Sequence, residues 1–394
     1  MAKFFNLIKT SIKETDLLLL FLCALTSAYG IIMVHSATLQ DKAADELFSR
    51  DVRAMVIAVA VGMAIALAVS FIDYNFITKL FPFIGGVCIV LMLLTFAIGV
   101  GPAERPDAKT WIELGNTGFF FQSSELMKIG FIITFGMHLE LVRDKITKLT
   151  TIMLLCVHAV IPVVLVTLSG DMGSALVFVI IFIAMMFCAG VQLRYFIIGT
   201  AVVCSAAPAI WYFVFDDTQR SRILGLFFPD RYTDILYQQE HGLQAIRAGG
   251  LTGSGLFSGK YTHMPNYIPE AENDMIFAPI CEELGFIGGM LALGLLLAII
   301  IKIIHTGKKS RFGATSFMCF GMAAMLAGQV IINIGMCLKV LPVIGITLPF
   351  FSAGGSSNLC VYIGIGLMMS IYRFDQEKQV TEYRISNASP FSGY

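Results

Sequence analysis

Residues 269–289 read PEAENDMIFAPICEELGFIGG, and five acids in this stretch flank or enter an apolar run. Glu270, Glu272 and Asp274 stand just before it, and Glu282 and Glu283 lie inside it. Carboxylates at or within a bilayer are costly, so they mark a functional site by default. A carboxylate at the membrane surface, partly desolvated, can take a proton from an attacking hydroxyl, which makes Asp274 a candidate general base. The alternative is that Asn273 and Asp274 cap the helix that follows, since both residue types are favoured there.

Other residues have similar double readings. Glu125 and Lys128, spaced i, i+3 in QSSELMK, form either a helix-locking ion pair or a charged cavity lining that receives a phosphate or sugar. Glu282 and Glu283 read first as structural, with at least one expected to pair with a cation such as Lys128. Asp171 in SGDMGSALV opens a helix and reads as a cap. Trp111 is an interfacial anchor or a substrate platform. Arg222 and Arg247 belong to a group of loop cations suited to a pyrophosphate, although acids such as Asp216 and Glu240 sit among them. Glu270 joins this substrate-binding set. So do Ser356 and Ser357, which follow Gly354 and Gly355 in a turn-rich segment whose N–H groups can face an anion. His241 and His263 lack partners at metal spacing, so no metal is assigned; the residues name no cofactor and leave a divalent cation open.

The elements that must hold these residues are membrane helices. Of 394 residues, 57% are hydrophobic and only 14% charged, against about a quarter charged in soluble domains. Mean hydropathy is +0.80. Net charge is zero, which gives no support to nucleic-acid binding. The nine cysteines fall almost entirely in apolar runs and read as small buried hydrophobes. Apolar runs near 16–36, 52–72, 79–100, 122–142, 150–168, 172–190, 194–214, 275–302, 313–337 and 353–372 predict an all-α polytopic fold of about ten transmembrane helices. The first run lacks a cleavage pattern and is expected to be retained.

Lys and Arg set the expected orientation. With the N-terminus inside, the inner segments carry 15 cations and the short outer loops 6, which places both termini in the cytoplasm. The whole chain, 1–394, then reads as one membrane domain. A large extracytoplasmic loop, 215–274, joins helices 7 and 8, and a short cytoplasmic tail spans 373–394. The centre of that loop, HGLQAIRAGGLTGSGLFSGK, begins like an amphipathic helix and ends Gly-rich, which suits a partly mobile segment on the membrane surface.

Together these segments resemble the SEDS family (shape, elongation, division and sporulation), the RodA/FtsW/SpoVE polymerases of bacterial cell walls. PEAENDMIFA and CEELGFIG resemble the family's PEAHTDFIFA and GEELGFIG. FQSSELMK resembles FQPSE-x-x-K, and GDMGSALV resembles PDLGTALV. NIGMCLKVLPVIGITLPFFSAGGSS resembles the pattern that closes the family's sequences. The matches run in order from the first helix to the last.

The resemblance implies ten helices and a peptidoglycan glycosyltransferase that polymerises lipid II at the outer face of the cytoplasmic membrane. It puts the essential Asp at Asp274, the charged cavity pair at Glu125 and Lys128, and the loop Trp at Trp111. It also implies a class B penicillin-binding protein as partner. Glu272, Asn273, Ser123 and Ala353 depart from the family pattern beside the site. The short termini resemble the elongation branch. The rival readings are a lipid II flippase or other transporter, with charges through the membrane depth and helices broken at the midplane, and a lipid-linked sugar ligase or acyltransferase.

Overall fold

The computed structural model describes residues 15–40, 47–101, 108–113, 115, 120–310 and 312–388, with side chains to Asp375. Of the cations used for orientation, Lys3, Lys9, Lys13, Lys42, Arg105 and Arg311 lie outside the described residues, as do the side chains of Lys378 and Arg384.

Each of the ten apolar runs forms a helix. They are α1 (Leu17–Ala37), α2 (Arg50–Ser70), α4 (Phe81–Ile98), α5 (Ser123–Leu141), α6 (Leu149–Leu168), α7 (Met172–Cys188), α8 (Leu193–Phe213), α11 (Phe277–Lys309), α12 (Gly313–Cys337) and α13 (Gly355–Ala388). Eight of them are long and apolar enough to cross a membrane. The other two are α7, with 17 residues, and α5, which carries Glu125, Lys128 and Glu140. A short helix α3 (Tyr74–Lys79) links α2 to α4, and a two-stranded hairpin, β1 (Trp111–Glu113) with β2 (Phe120–Gln122), leads into α5. Starts are marked by side-chain caps: Asp16 accepts Leu19 N, Ser49 accepts Val52 N, and Asp171 accepts Ser174 N.

The helices are apolar on nearly every face, so burial in lipid cannot choose their partners, and small residues do so instead. The α2–α13 contact is built on Gly62 against Tyr362 and Gly366 against Ala66. The Tyr362 hydroxyl is shared with Ser27 Oγ at 2.8 Å and reaches Cys23 O at 3.2 Å, which ties α1 to the same seam. In contrast, α8 buries none of its residues. At the far end of α13, Tyr74 donates to Asp375 at 2.9 Å. The segment read as a tail continues as helix to Ala388.

The 215–274 segment contains the helix expected at the start of its centre, within a more extensive fold. It folds into α9 (Asp217–Phe227), opened by a capping box between Asp216 and Gln219, and α10 (Thr233–Gly249). The buried face of α10 packs on the start of α11 through Gly242 against Met275 and Ala278, and through Gly249 against the Cys281 carbonyl. Its glycines allow close approach, not looseness. The chain after α10 enters a break in α11 at Gly285, where φ is 65° and ψ −166°. Phe286 N donates to Gly250 O at 2.8 Å and Ile287 N to Leu251 O at 3.2 Å. Ser254 N and Gly255 N return the pattern to the carbonyls of Glu282 and Glu283 at 3.0 and 2.9 Å.

Glu282 and Glu283 close this junction. They do not pair with Lys128 as the sequence suggested. Glu282, 1% exposed, accepts from Tyr261 N at 2.6 Å and from both Thr262 N and Oγ1 at 2.7 and 2.6 Å. Glu283, fully buried, accepts from Ser36 Oγ at 2.5 Å, Phe257 N at 3.0 Å and Gly259 N at 3.4 Å, with His263 Nε2 at 3.2 Å. The reason is geometric: a loop threaded through a helix break exposes a run of N–H donors that only a buried acceptor can satisfy.

Glu282→Leu leaves the Tyr261 and Thr262 amides without their acceptor. At about 1–3 kcal/mol for each orphaned buried donor, the full chain in detergent should melt several degrees lower. An unchanged melting temperature would show that this junction does not hold the fold.

Candidate active site

Asp274 lies in a turn set up by Glu270, whose φ is +55° and whose carbonyl accepts Asn273 N and Met275 N, both at 3.1 Å. Three successive carbonyls are then pinned from elements distant in sequence. Ala353 N donates to Glu272 O at 2.9 Å, and Ser352 Oγ donates to Asn273 O at 2.7 Å. Asn333 Nδ2, on α12 and fully buried, donates to Asp274 O at 2.8 Å and also to Ile346 O at 2.7 Å. The N-cap position of α11 is Ile276, two residues after Asp274. The Asp274 side chain is half-buried and is directed at the 341–354 loop. Its Oδ2 lies 3.7 Å from where a Cβ on Gly345 would stand.

Gly345, at φ +68°, is on the wall of a cavity of about 260 Å³. Four regions meet there: β1 and β2 through Trp111 and Gln122, the α7 start through Asp171, α9 through Gln219 and Arg222, and the 341–354 loop through Ile344. Asp171 is more than a cap. Its Oδ1 accepts Ser174 N at 2.9 Å, while Oδ2 accepts Gln122 Nε2 at 2.7 Å and Ser124 Oγ at 3.1 Å, so one carboxylate fixes the hairpin, α5 and α7 together. Arg222 Nη1 donates to Val343 O at 3.1 Å, which anchors α9 to the same loop as Gly345. A cation, an acid and two amide side chains therefore share one small chamber beside Asp274. It offers one cation and polar side chains to a headgroup, and a base at its edge.

The remaining candidates sit elsewhere. Lys128 Nζ donates to Glu125 Oε1 at 2.7 Å, with Lys128 fully buried and Glu125 5% exposed; neither lines the cavity. Arg247 is exposed on α10. Glu270 is exposed and accepts Asn273 Nδ2 at 2.7 Å. Ser356 and Ser357 are buried in the first turn of α13, where Ser357 Oγ meets Thr347 Oγ1 at 3.1 Å. Gln239 donates to Met336 O and Leu341 O at 2.8 and 2.7 Å, and Lys339 pairs with Glu240, so α10 also grips the loop that carries Gly345. Among the described residues no group of three or more His, Cys, Asp or Glu is arranged to hold a metal ion.

Reasoning from sequence missed Asn333, Gln122, Gln219 and Gly345. Asn333 carried a readable signal: an amide in an otherwise apolar helix must find partners. The others belong to segments that matter only once four distant regions converge.

A family model described as a cell cycle protein, FtsW/RodA/SpoVE, matches residues 16–377. A relative from Geobacter sulfurreducens named "Probable peptidoglycan glycosyltransferase FtsW" is 31% identical over 367 residues, covering 91% of this chain and 95% of the relative. "Peptidoglycan glycosyltransferase MrdB" of Escherichia coli K12 is 31% identical over 363 residues, covering 90% and 92%. A solved structure described as "Structural coordination of polymerization and crosslinking by a peptidoglycan synthase complex" superposes with a TM-score of 0.76 at 26% identity, over 92% of this chain and 98% of that one. The Thermus thermophilus rod shape determining protein RodA shares the fold, with a TM-score of 0.66 at 24% identity over 91% and 97%. The chain belongs to the FtsW/RodA/SpoVE family of cell cycle proteins.

Proposed function

We propose that this multi-pass protein of the bacterial cytoplasmic membrane is a peptidoglycan glycosyltransferase that joins lipid II units into β-1,4 glycan strands at the outer face. The observation that carries the reading is the half-buried Asp274 carboxylate beside Gly345, on the rim of a chamber that holds Arg222, Asp171 and Trp111. The names of the relatives support the reaction class.

The donor sugar is α-linked to a lipid pyrophosphate and the product bond is β, so one displacement inverts the anomeric carbon. Asp274 takes the proton of the acceptor hydroxyl as that oxygen bonds to the anomeric carbon. The bond to the pyrophosphate oxygen breaks, and the electron pair leaves with the pyrophosphate. Arg222 is the cation we assign to that leaving group, because it lines the chamber and Lys128 does not. Glu125 and Lys128 pair with each other within α5, and they, with Ser356, Ser357, Glu270 and Arg247, stand outside the chamber. The class B penicillin-binding protein is the proposed partner, supported by the likeness to a chain from a polymerising and cross-linking complex.

A transporter would need its break near the midplane. Here residues 286–309 of α11 follow Gly285, roughly 36 Å of helix at 1.5 Å per residue, more than the ~30 Å hydrocarbon core. The break therefore belongs to the end that carries the 215–274 segment.

Purified protein with labelled lipid II, with and without a class B penicillin-binding protein, tests the reaction. Asp274→Asn should lower strand synthesis by roughly 10²–10⁴-fold, and near-normal polymer from that variant on a gel would overturn the assignment. Arg222→Lys keeps the charge but loses the planar fork, so strand synthesis should fall about tenfold or more, as expected for a charge-assisted hydrogen bond of 1.5–3 kcal/mol. Full activity in Arg222→Lys would move the pyrophosphate elsewhere.

A further inference from the structure

Four aromatic rings form a row on α10 and on the segment that runs into Asp274. Tyr237 and His241, one turn apart, have ring centroids 3.9 Å apart. His241 meets the Tyr267 edge at 4.1 Å, and Tyr267 stacks on Tyr261 at 5.0 Å. Lys260 Nζ stands 5.5 Å over the Tyr261 ring. Tyr261 and Tyr267 rest against the core, yet none of the four is buried, and Tyr237 is 44% exposed. The row is held as one surface. The Tyr267 hydroxyl donates to Gln244 Oε1 at 2.5 Å, and Gln238 Nε2 donates to Pro269 O at 2.9 Å, five residues before Asp274.

The polar rim is equally defined. His241 Nδ1 lies 2.8 Å from Tyr237 O. A carbonyl only accepts, so Nδ1 donates and neutral His241 presents Nε2 as an acceptor. No other hydrogen bond of His241 is formed among the described residues. Rigid rings with polar edges present the apolar face and the hydrogen-bonding rim that a pyranose needs, at low entropic cost.

The chamber beside Asp274, about 260 Å³, is smaller than the 300–1,000 Å³ typical of ligand pockets and has no room for a polymer. A growing strand therefore needs surface beyond that chamber. We infer that the Tyr237–His241–Tyr267–Tyr261 row is a glycan-binding surface that carries the β-1,4-linked strand past Asp274. This rests on the glycosyltransferase reading above and gives that reaction its polymer subsite.

The test uses the full chain in lipid nanodiscs and a β-1,4-linked N-acetylglucosamine hexasaccharide, followed by saturation-transfer NMR. The wild type should bind it. Tyr237→Ala and His241→Ala should each bind about three- to tenfold more weakly, and Tyr237→Phe, which keeps the ring and loses its polar edge, should fall between Tyr237→Ala and the wild type. With lipid II, the alanine variants should release shorter strands than the wild type does. Asp274→Asn should keep hexasaccharide binding while losing synthesis. No binding by the wild type, or equal binding by the wild type and both alanine variants, overturns the surface; the row would then be an aromatic belt at the membrane interface. Binding by a wild type that makes no polymer overturns the transferase reading and leaves the surface standing.

Discussion

Three backbone carbonyls in succession, at Glu272, Asn273 and Asp274, are held by Ala353 N, Ser352 Oγ and Asn333 Nδ2. A three-residue stretch in a loop would ordinarily sample many conformations, at a cost of about 1–2 kcal/mol per residue to fix one. Here that cost is offset by donors from α12 and from the loop before α13, which themselves sit in the packed core. The result is a carboxylate whose backbone is held by elements 59 to 81 residues away as well as by its own turn at Glu270. Pre-organisation of this kind is what a proton-accepting group needs before substrate arrives.

The same logic governs the junction around Gly285. A helix break in a membrane protein is tolerable only where every freed amide and carbonyl finds a partner. Gly250, Leu251, Ser254 and Gly255 supply the backbone partners, and Glu282 and Glu283 supply acceptors for the amides that follow. These two acids look from a distance like the chemistry of the protein. Their surroundings show them as the mortar between a loop and a broken helix, and the chemistry we propose lies instead at Asp274 and the chamber beside it.

Much of the architecture was legible in the residues, because membrane helices announce themselves through uninterrupted apolar length. The ten runs fall on ten helices with ends displaced by a few residues, apart from the continuations of α11 to Lys309 and α13 to Ala388. Asp171 as a cap was legible from its spacing, but its hold on Gln122 and Ser124 was not, since that depends on α5 and α7 being neighbours. The i, i+3 ion pair of Glu125 and Lys128 was legible from spacing and is formed, whereas the further expectation that Lys128 pairs with Glu282 or Glu283 fails because the nearer acid, a single helical turn away, holds it. In the 215–274 segment the amphipathic start of its centre was legible and lies in α10, whereas the packing of its glycines was not, because Gly content looks the same in sequence whether it serves looseness or tight packing. The difference appears only against Cys281 and the Gly285 break.

The partners of the Asp274 turn also have an order of birth. Ser352 and Ala353 leave the ribosome some eighty residues after the segment they restrain, and α13 must then insert against α2 for the seam at Gly62 and Gly366 to form. Long-range closure of this kind comes late in folding. A nascent chain that has not yet reached Ser352 therefore carries the acid without two of its three restraints, and the membrane is spared a half-built polymerase.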